Sequence, residues 1–221
     1  MRIVSAVLPG ILSIVLLSSC REIVPFEQRI ERFEGYQLQG TVTTQNGIPL
    51  DSVFVRLFYS YALVQSKPLD TVVVNITDPT KIVEVNVYDN DGRYVHQMYF
   101  GYRPAGRLSQ FFWNQRDDTG RAMPCGRYWI RTWYNDAIRK IVPYILEGSR
   151  TTLTNHDGRF SIGKKNLPVD ALFDYYPDTS YAGSYRVLAR VRLVFERGER
   201  QTGFSVDLEP NAITNRVFKL E

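Results

Sequence analysis

The feature that most constrains this chain is a two-residue alternation of apolar and polar side chains, interrupted again and again by Asx-Gly pairs. Val53, Val55, Leu57 and Tyr59 share one face of residues 52–59, and Val83, Val85 and Val87 alternate with Glu84, Asn86 and Tyr88. Residues 38–44 run into Asn46-Gly47, residues 82–88 into Asp89-Asn90-Asp91-Gly92, and Asp157-Gly158 precedes Phe160-Ser161-Ile162. Residues 128–134 alternate, as do Tyr185, Val187, Ala189, Val191, Leu193 and Phe195 before Arg197-Gly198. A period of two matches the pleat of a half-buried strand, and Asx-Gly between such runs signals a hairpin. The chain's 14 Tyr and 12 Phe suit a pleated surface. Helical spacing is confined to Phe26, Ile30 and Phe33 after Pro25. Two turns are marginal alone, so this segment is either a docked helix or an extended tether. The expected fold class is all-β, with two small antiparallel β-sandwiches.

The first twenty residues point to export. Arg2 precedes an uncharged stretch over residues 3–17, broken by Pro9 and Gly10, and Leu17-Ser18-Ser19-Cys20 follows. The stretch suits a signal-peptide core better than a membrane span. The final tetrapeptide resembles the bacterial lipobox, in which the cysteine is lipidated and the chain is cut just before it. The expectation is a signal peptide over residues 1–19, a lipid on Cys20 (palmitate among its acyl chains), and a tether over residues 20–35. Several acyl chains give stable attachment where one does not. Arg21 stands where aspartate often means inner-membrane retention, so the outer membrane is the expected location.

Loss of residues 1–19 removes one cation, Arg2, and leaves 26 Lys and Arg against 23 Asp and Glu, a net +3. The arginines are scattered, so no nucleic-acid partner is expected. With Cys20 committed to lipid, Cys125 has no disulfide partner. His96 and His156 are far apart and no ligand spacing joins them to a cysteine, so neither a metal nor a cofactor is expected. Asp89-Asn90-Asp91-Gly92 matches half of a calcium loop without its remaining ligands, and reads better as a type I′ or related hairpin turn. Asp117-Asp118-Thr119-Gly120 offers paired carboxylates with no neighbouring nucleophile or partner in the sequence. Nucleophile elbows, phosphate loops and zinc-protease helices are missing from the sequence, so a non-enzyme is expected.

Two resemblances follow from longer patterns. Ile82-Val83-Glu84-Val85-Asn86-Val87-Tyr88-Asp89, Gly92-Arg93-Tyr94-Val95, Trp113-Asn114, Asp117, Gly120, Met123 and Gly126-Arg127-Tyr128 resemble the immunoglobulin-like domain of flagellar hook-capping proteins. This stretch, residues 67–143, departs from the pattern at Gln115, where glycine is usual. Cys125 stands where a small residue is common, which implies a half-buried, inert thiol, and Trp113 is implied to be core. The flanks, residues 36–66 and 144–221, resemble a carboxypeptidase-regulatory-like (prealbumin-like) domain. The matching residues are Gln39-Gly40-Thr41-Val42 and Gly47-Ile48-Pro49-Leu50-Asp51-Ser52-Val53-Phe54-Val55 on one side. On the other they are Thr152-Leu153-Thr154-Asn155-His156-Asp157-Gly158-Arg159-Phe160-Ser161-Ile162 and Leu167-Pro168. The resemblances imply one sandwich inserted into another. Two consecutive incomplete domains are the alternative, and they leave more open edges. Both families are used as spacers, stabilising modules or binding platforms.

The hook-capping pattern turns Tyr128 inward, which puts Ile130, Thr132 and Tyr134 inside and Arg127, Trp129, Arg131 and Trp133 on the other face. Alternating indoles and guanidiniums on a nominally solvated face suggest an interface. Three readings compete for these four residues: packing against the larger sandwich, which is the expectation because an inserted domain needs something to fix its orientation, a protein partner, and a surface glycan. The expected function is a membrane-anchored, non-catalytic structural or protein-binding module of the cell envelope. The alternative is a carbohydrate-binding accessory lipoprotein. Asp51-Ser52-Val53 and Asp70-Thr71-Val72 also resemble a short bacterial O-glycosylation signal.

Overall fold

The computed structural model describes residues 34–69, 73–109, 111–176 and 181–221. It is a mostly-β arrangement of several sheets, with one 3-10 turn at Lys164–Asn166 as its only described helical element. The strands are β1 (Tyr36–Thr44), β2 (Phe54–Gln65), β3 (Asn75–Ile76), β4 (Ile82–Tyr88), β5 (Tyr94–Tyr102), β6 (Gly106–Arg107) and β7 (Gly126–Tyr134). They continue with β8 (Ala137–Leu146), β9 (Arg150–Leu153), β10 (Arg159–Ile162), β11 (Leu172–Tyr175), β12 (Gly183–Arg197), β13 (Arg200–Asp207) and β14 (Ala212–Leu220). The signal, lipidation and tether expectations (residues 1–19, Cys20, and the tether up to residue 33) lie outside the described residues.

The larger sandwich faces a three-stranded sheet, β10-β1-β14, against a five-stranded sheet in which β11 and β13 share one edge of β12 and β2-β9 lie on the other. Its core interleaves Leu38 and Val42 of β1, Phe160 and Ile162 of β10, and Phe218 and Leu220 of β14. Opposing them are Val55 and Leu57 of β2 and Val187, Val191, Leu193 and Phe195 of β12. Gly40 makes room for this stack, because a methyl group there would lie 2.3 Å from the Phe160 ring and 2.8 Å from Phe218. The pairing is antiparallel except between β1 and β14, which run parallel from Tyr36↔Ala212 to Thr44↔Leu220. That pair departs from the all-antiparallel expectation, because residues 208–211 carry the chain from one sheet across to the other.

The smaller unit is lopsided. Its main sheet runs β5-β4-β7-β8. One face of that sheet buries Val83, Val85, Val87, Tyr128, Thr132 and Tyr134. What covers this face is not a second full sheet but the two-residue ribbon β3-β6 and residues 108–109 and 111–123, which contribute Ile76, Leu108, Phe111 and Trp113. Asp117, Asp118 and Gly120 in the covering segment break the alternation a strand requires.

Four turns share one construction. In Thr44–Ile48, Asp89–Arg93, Asp117–Arg121 and Asn155–Arg159 the first residue's N–H donates to the fifth residue's carbonyl. The glycine's N–H donates back to the first residue's carbonyl. The fourth residue is Gly47, Gly92, Gly120 or Gly158, each at positive φ. The first side chain accepts from the fifth N–H, as Asp89 Oδ1 does from Arg93 at 2.8 Å and Asn155 Oδ1 from Arg159 at 2.8 Å. The Asp89–Gly92 turn is therefore not type I′, which needs positive φ at both central residues. Only its glycine is left-handed, as in a type I turn closed by a glycine bulge.

The two sandwiches meet at the start of β7 and the end of β8. Cys125 is fully buried within the larger core, not half-buried as its small-residue position implied. Its Sγ lies 3.3 Å from the Leu57 carbonyl and 3.4 Å from that of Ser149, and burial pushes the thiol's pKa up. Gly126, at φ +151°, lets the backbones close, since an added methyl would stand 2.8 Å from the Lys165 carbonyl oxygen. Asn166 donates to the Cys125 carbonyl at 2.6 Å. On the far side Glu147 accepts from Tyr59 N–H at 3.0 Å and from Tyr61 O–H at 2.7 Å. Burial, with Glu147 adding to it, raises Tyr61 above the ordinary phenol range. Ile145 of β8 packs onto the larger core. The described residues form one compact unit.

Candidate binding face

Cross-strand register fixes what the other face of the β5-β4-β7-β8 sheet displays, because directly opposed residues share a face. Tyr88, Asn86 and Glu84 of β4 oppose Trp129, Arg131 and Trp133 of β7. On the β8 side the partners are Ile145 for Arg127, Pro143 for Trp129, Ile141 for Arg131 and Ile138 for Trp133. On the β5 side Tyr94 opposes Tyr88, Gln97 opposes Asn86, Phe100 opposes Glu84 and Tyr102 opposes Ile82. Rows therefore cross the sheet: an aromatic row of Tyr94, Tyr88 and Trp129, a polar row of Gln97, Asn86 and Arg131, and a second aromatic row holding Phe100 and Trp133.

The alternation expected along β7 is what the structure shows, with Tyr128, Thr132 and Tyr134 buried and Arg127, Trp129, Arg131 and Trp133 half-buried on the opposite side. Neither indole joins either sandwich's core, and of this face only Ile145 packs on the larger one. The Arg127 guanidinium lies 4.9 Å from the Trp129 ring and that of Arg131 lies 4.3 Å from Tyr88. Such contacts contribute about 0.5–1 kcal/mol at partly exposed sites and hold the rings in place. Asn86 is 3% exposed and donates through its amide to Glu84. Asn86 Oδ1 and Arg131 Nε are buried without a hydrogen-bond partner. Phe100 and Tyr102, 57% and 63% exposed, extend the aromatic surface toward the sheet edge. The alternation did not reveal them, because two register shifts in the β4–β5 pair and Gly101 at positive φ scramble the parity of β5.

At the Gly126 end of β7 the face runs into a cleft of about 420 Å3 between the sandwiches. Arg121, Arg127, Arg150 and Lys165 line it with Asp89 and Asp91. Arg127 Nε donates to Asn90 Oδ1 at 2.8 Å, and burial lowers the guanidinium's pKa. Arg121 already pairs with Asp117 at 3.1 Å and Arg150 with Glu196.

The carboxylates of residues 117–118 serve different ends. Asp117 caps its own turn, accepting from Thr119 and Arg121. Asp118 meets two groups the sequence left far apart: Tyr94 O–H donates to Oδ2 at 2.6 Å, and His96 Nδ1 lies 2.7 Å from Oδ1. Among the described residues, no hydroxyl or thiol other than that of Tyr94 is bonded to this Asp118–His96 pair. Trp113 is core, as the resemblance implied, with its ring 4.9 Å from Tyr128 and its N–H donating to the Arg116 carbonyl at 2.8 Å. Gln115 keeps a left-handed φ of +65° where the resembled pattern has glycine. Ser52 is exposed at φ +54° beside buried Val53, while residues 70–72 lie outside the described residues. Among the described residues no three His, Cys, Asp or Glu converge on a metal site, and no helix is long and apolar enough to cross a membrane.

No protein-family model matches the chain, and neither a curated protein nor a solved structure matches it. The all-β, multi-sheet architecture of a generic β-sandwich is what the fold shares with the two resembled families.

Proposed function

We propose that this chain is a lipid-anchored, non-catalytic structural or binding module of the cell envelope, with its recognition surface on the β5-β4-β7-β8 sheet. In this reading residues 1–19 are removed, Cys20 carries the lipid, and Arg21 directs the protein to the outer membrane. The split sandwich of residues 36–66 and 144–221 holds the inserted one, residues 67–143, away from the membrane. The observation that carries the reading is that Trp129 and Trp133 belong to neither core. Two half-buried indoles outside both apolar cores, set among exposed aromatics and with Arg127 stacked on Trp129, have the composition of a contact surface. An all-β domain without a disulfide or a metal cluster among its described residues is consistent with a binding role.

The test uses mature protein, residues 20–221. Trp129→Ala and Trp133→Ala together should cost about 1–2 kcal/mol each, less than the 3–5 kcal/mol of a fully buried ring. The double variant should recover far less envelope material from solubilised membranes than wild type does. Equal recovery would retire the face as a recognition surface. The anchor has its own check: Cys20→Ala should end palmitate labelling and release the protein from membranes, and a labelled variant would remove the lipid from the reading.

A further inference from the structure

We propose that the outer edge of β14 is the seam of a two-fold symmetric dimer, in which β14 pairs antiparallel with the β14 of a second copy of this chain. The inference concerns the larger sandwich and does not rest on the reading of the Arg–Trp face. β14 ends the β10-β1-β14 sheet, and among the described residues no strand pairs with its far side. An unpaired edge is a template for another strand, and folds blunt it with bulges, proline, charge or brevity. The other edges here are blunted. β5 has two register shifts and Gly101, β8 carries Pro143, and β9, β10 and β11 have four residues each. β13 has Gly203 near its middle and turns Gln201, Ser205 and Asp207 outward. By contrast β14 runs nine residues in unbroken register with β1, without glycine or proline. Its outer face shows Ile213 and Val217, the latter 67% exposed.

Register fixes which backbone groups the edge offers. Successive residues of a strand turn their N–H and C=O to opposite edges. Val42 donates to the Gly158 carbonyl at 2.7 Å and accepts from Leu50 N–H at 2.9 Å, both on the β10 side. Odd-numbered residues of β1 therefore face β14. Gln37, Gln39, Thr41 and Thr43 lie level with Ile213, Asn215, Val217 and Lys219. In a parallel pair, a residue facing its neighbour strand bonds to the two residues that flank its level partner, so the level partner itself faces away. Ile213, Asn215, Val217 and Lys219 thus turn their backbone groups to the open edge. Two local bonds agree: Asn215 Nδ2 donates to the Ile213 carbonyl at 3.1 Å, and Arg216 Nη1 to the Asn215 carbonyl at 2.8 Å. Both donors belong to exposed side chains that stand in for a neighbouring strand.

A two-fold axis at Asn215 makes this edge complementary to itself. Ile213 of each copy lies level with Val217 of the other, Asn215 with Asn215, and Lys219 with Asn211. Apolar meets apolar, and no like charges oppose. An axis at Arg216 would set two guanidiniums against each other, and one at Val217 would set Ile213 against Glu221. Self-complementarity of this kind is what an isologous contact requires, and it commits the edge to a second copy. The seam joins two three-stranded sheets into one continuous sheet. About five residues from each copy make a small contact, so the dimer is weak, with Kd on the order of 10–100 μM.

The experiment uses mature protein, residues 20–221, carrying Cys20→Ala so that the fully buried Cys125 is its only thiol. Sedimentation equilibrium from about 5 to 500 μM should show monomer and dimer in exchange. Val217→Pro removes an outward N–H and sets its ring in the seam while sparing the bonds to β1, and should leave no dimer. Val217→Lys, an exposed change, should raise Kd at least about tenfold, and it carries the test if circular dichroism shows the proline variant unfolded. Asn215→Cys stands on the axis, where Cα atoms about 5.5 Å apart allow a disulfide, and should crosslink on mild oxidation. Lys219→Cys should not, because its two copies lie roughly 27 Å apart along the seam. Wild type that stays monomeric at about 500 μM overturns the proposal. Capture of a different envelope protein by Asn215→Cys would then assign the edge to a foreign strand. A dimer that survives both Val217 variants also overturns it, and loss of that dimer in the Trp129→Ala, Trp133→Ala double variant would move the seam to the Arg–Trp face. Equal crosslinking at positions 215 and 219 overturns the register.

Discussion

The two sandwiches spend their apolar residues differently. The larger gathers 21 buried residues into one continuous core, drawing Cys125 in from the other unit. The smaller divides its buried residues into clusters of five and four, covered by loop and ribbon instead of a second sheet. Its remaining large side chains, Trp129, Trp133, Phe100 and Tyr102 among them, stay on the outer face of its sheet. The unit with surplus core is built to be rigid, and the unit with a thin core is where apolar surface is left for something else. A carrier and a presenting element are a natural reading of that division, with Cys125, Gly126 and Glu147 fixing the orientation of one on the other.

The sharpest break in the comparison lies in the larger core. Phe195 is wrapped by Phe218 at 4.8 Å, Phe160 at 5.7 Å and Phe204 at 5.8 Å, and is almost wholly buried. Phe195→Ala should cost about 3–5 kcal/mol, seen as a lowered denaturation midpoint with an unchanged slope. A loss under about 1 kcal/mol would mean that this core is looser than its packing indicates.

Trp113→Ala strikes the corresponding place in the thin core. Its ring meets Tyr128 at 4.9 Å and Tyr144 at 5.5 Å. The expected cost is about 3 kcal/mol, at the low end because the covering loop can settle into the space. Amide exchange should accelerate in β4, β5 and β7 while β1, β2 and β12 keep their protection. Equal loss in β12 would show that the two sandwiches open as one cooperative unit.

How much of this was legible beforehand depended on distance along the chain. The inward faces of β2, β4, β7 and β12 follow from alternation, and the Asx-x-x-Gly turns from local hydrogen bonding, so both could be read directly. The parallel pairing of β1 with β14 joins residues 176 apart, and no local pattern encodes it. Cys125 looked like an ordinary small-residue position because its own strand says nothing about the core it enters. The Arg–Trp line was visible, but the rows that flank it required the register of β5, which bulges hide.

Gln115→Gly tests the opposite sign on the thin unit. A non-glycine residue at φ +65° carries about 1–2 kcal/mol of backbone strain, which glycine removes. Glycine also frees the unfolded chain, at a cost of about 0.5–1 kcal/mol, and forfeits the 3.2 Å bond from Gln115 to the Tyr144 hydroxyl. The net expectation is a gain of about 0.5 kcal/mol, read as a slightly higher melting temperature. A lower one would show that the tie to Tyr144 outweighs the strain.

The smallest effect belongs to Asp118, which pins the covering loop to the edge strand β5. Besides Tyr94 and His96 it accepts from Gln97 N–H at 3.2 Å, and its own N–H donates to the Val95 carbonyl at 3.3 Å. The Tyr94 hydrogen bond, with help from Gln97 and His96, holds the carboxyl below its ordinary value of 3.8. Desolvation, reinforced by Asp118, pushes the Tyr94 hydroxyl up to about 12. A carboxyl with a depressed folded pKa adds stability that is complete above its unfolded value and fades as pH falls through the folded one. A phenol with a raised folded pKa adds stability that is complete below its unfolded value of 10.0 and fades as pH rises through about 12. Wild type should therefore melt slightly above Asp118→Asn by a constant margin between about pH 5 and pH 9, shrinking on both sides. Both side chains are about half open to water, so solvent screening keeps that margin small. A margin that holds unchanged down to pH values well below 3.8 would mean that the carboxylate's charge plays no part and that the shape and hydrogen bonding of the neutral side chain account for the difference from asparagine.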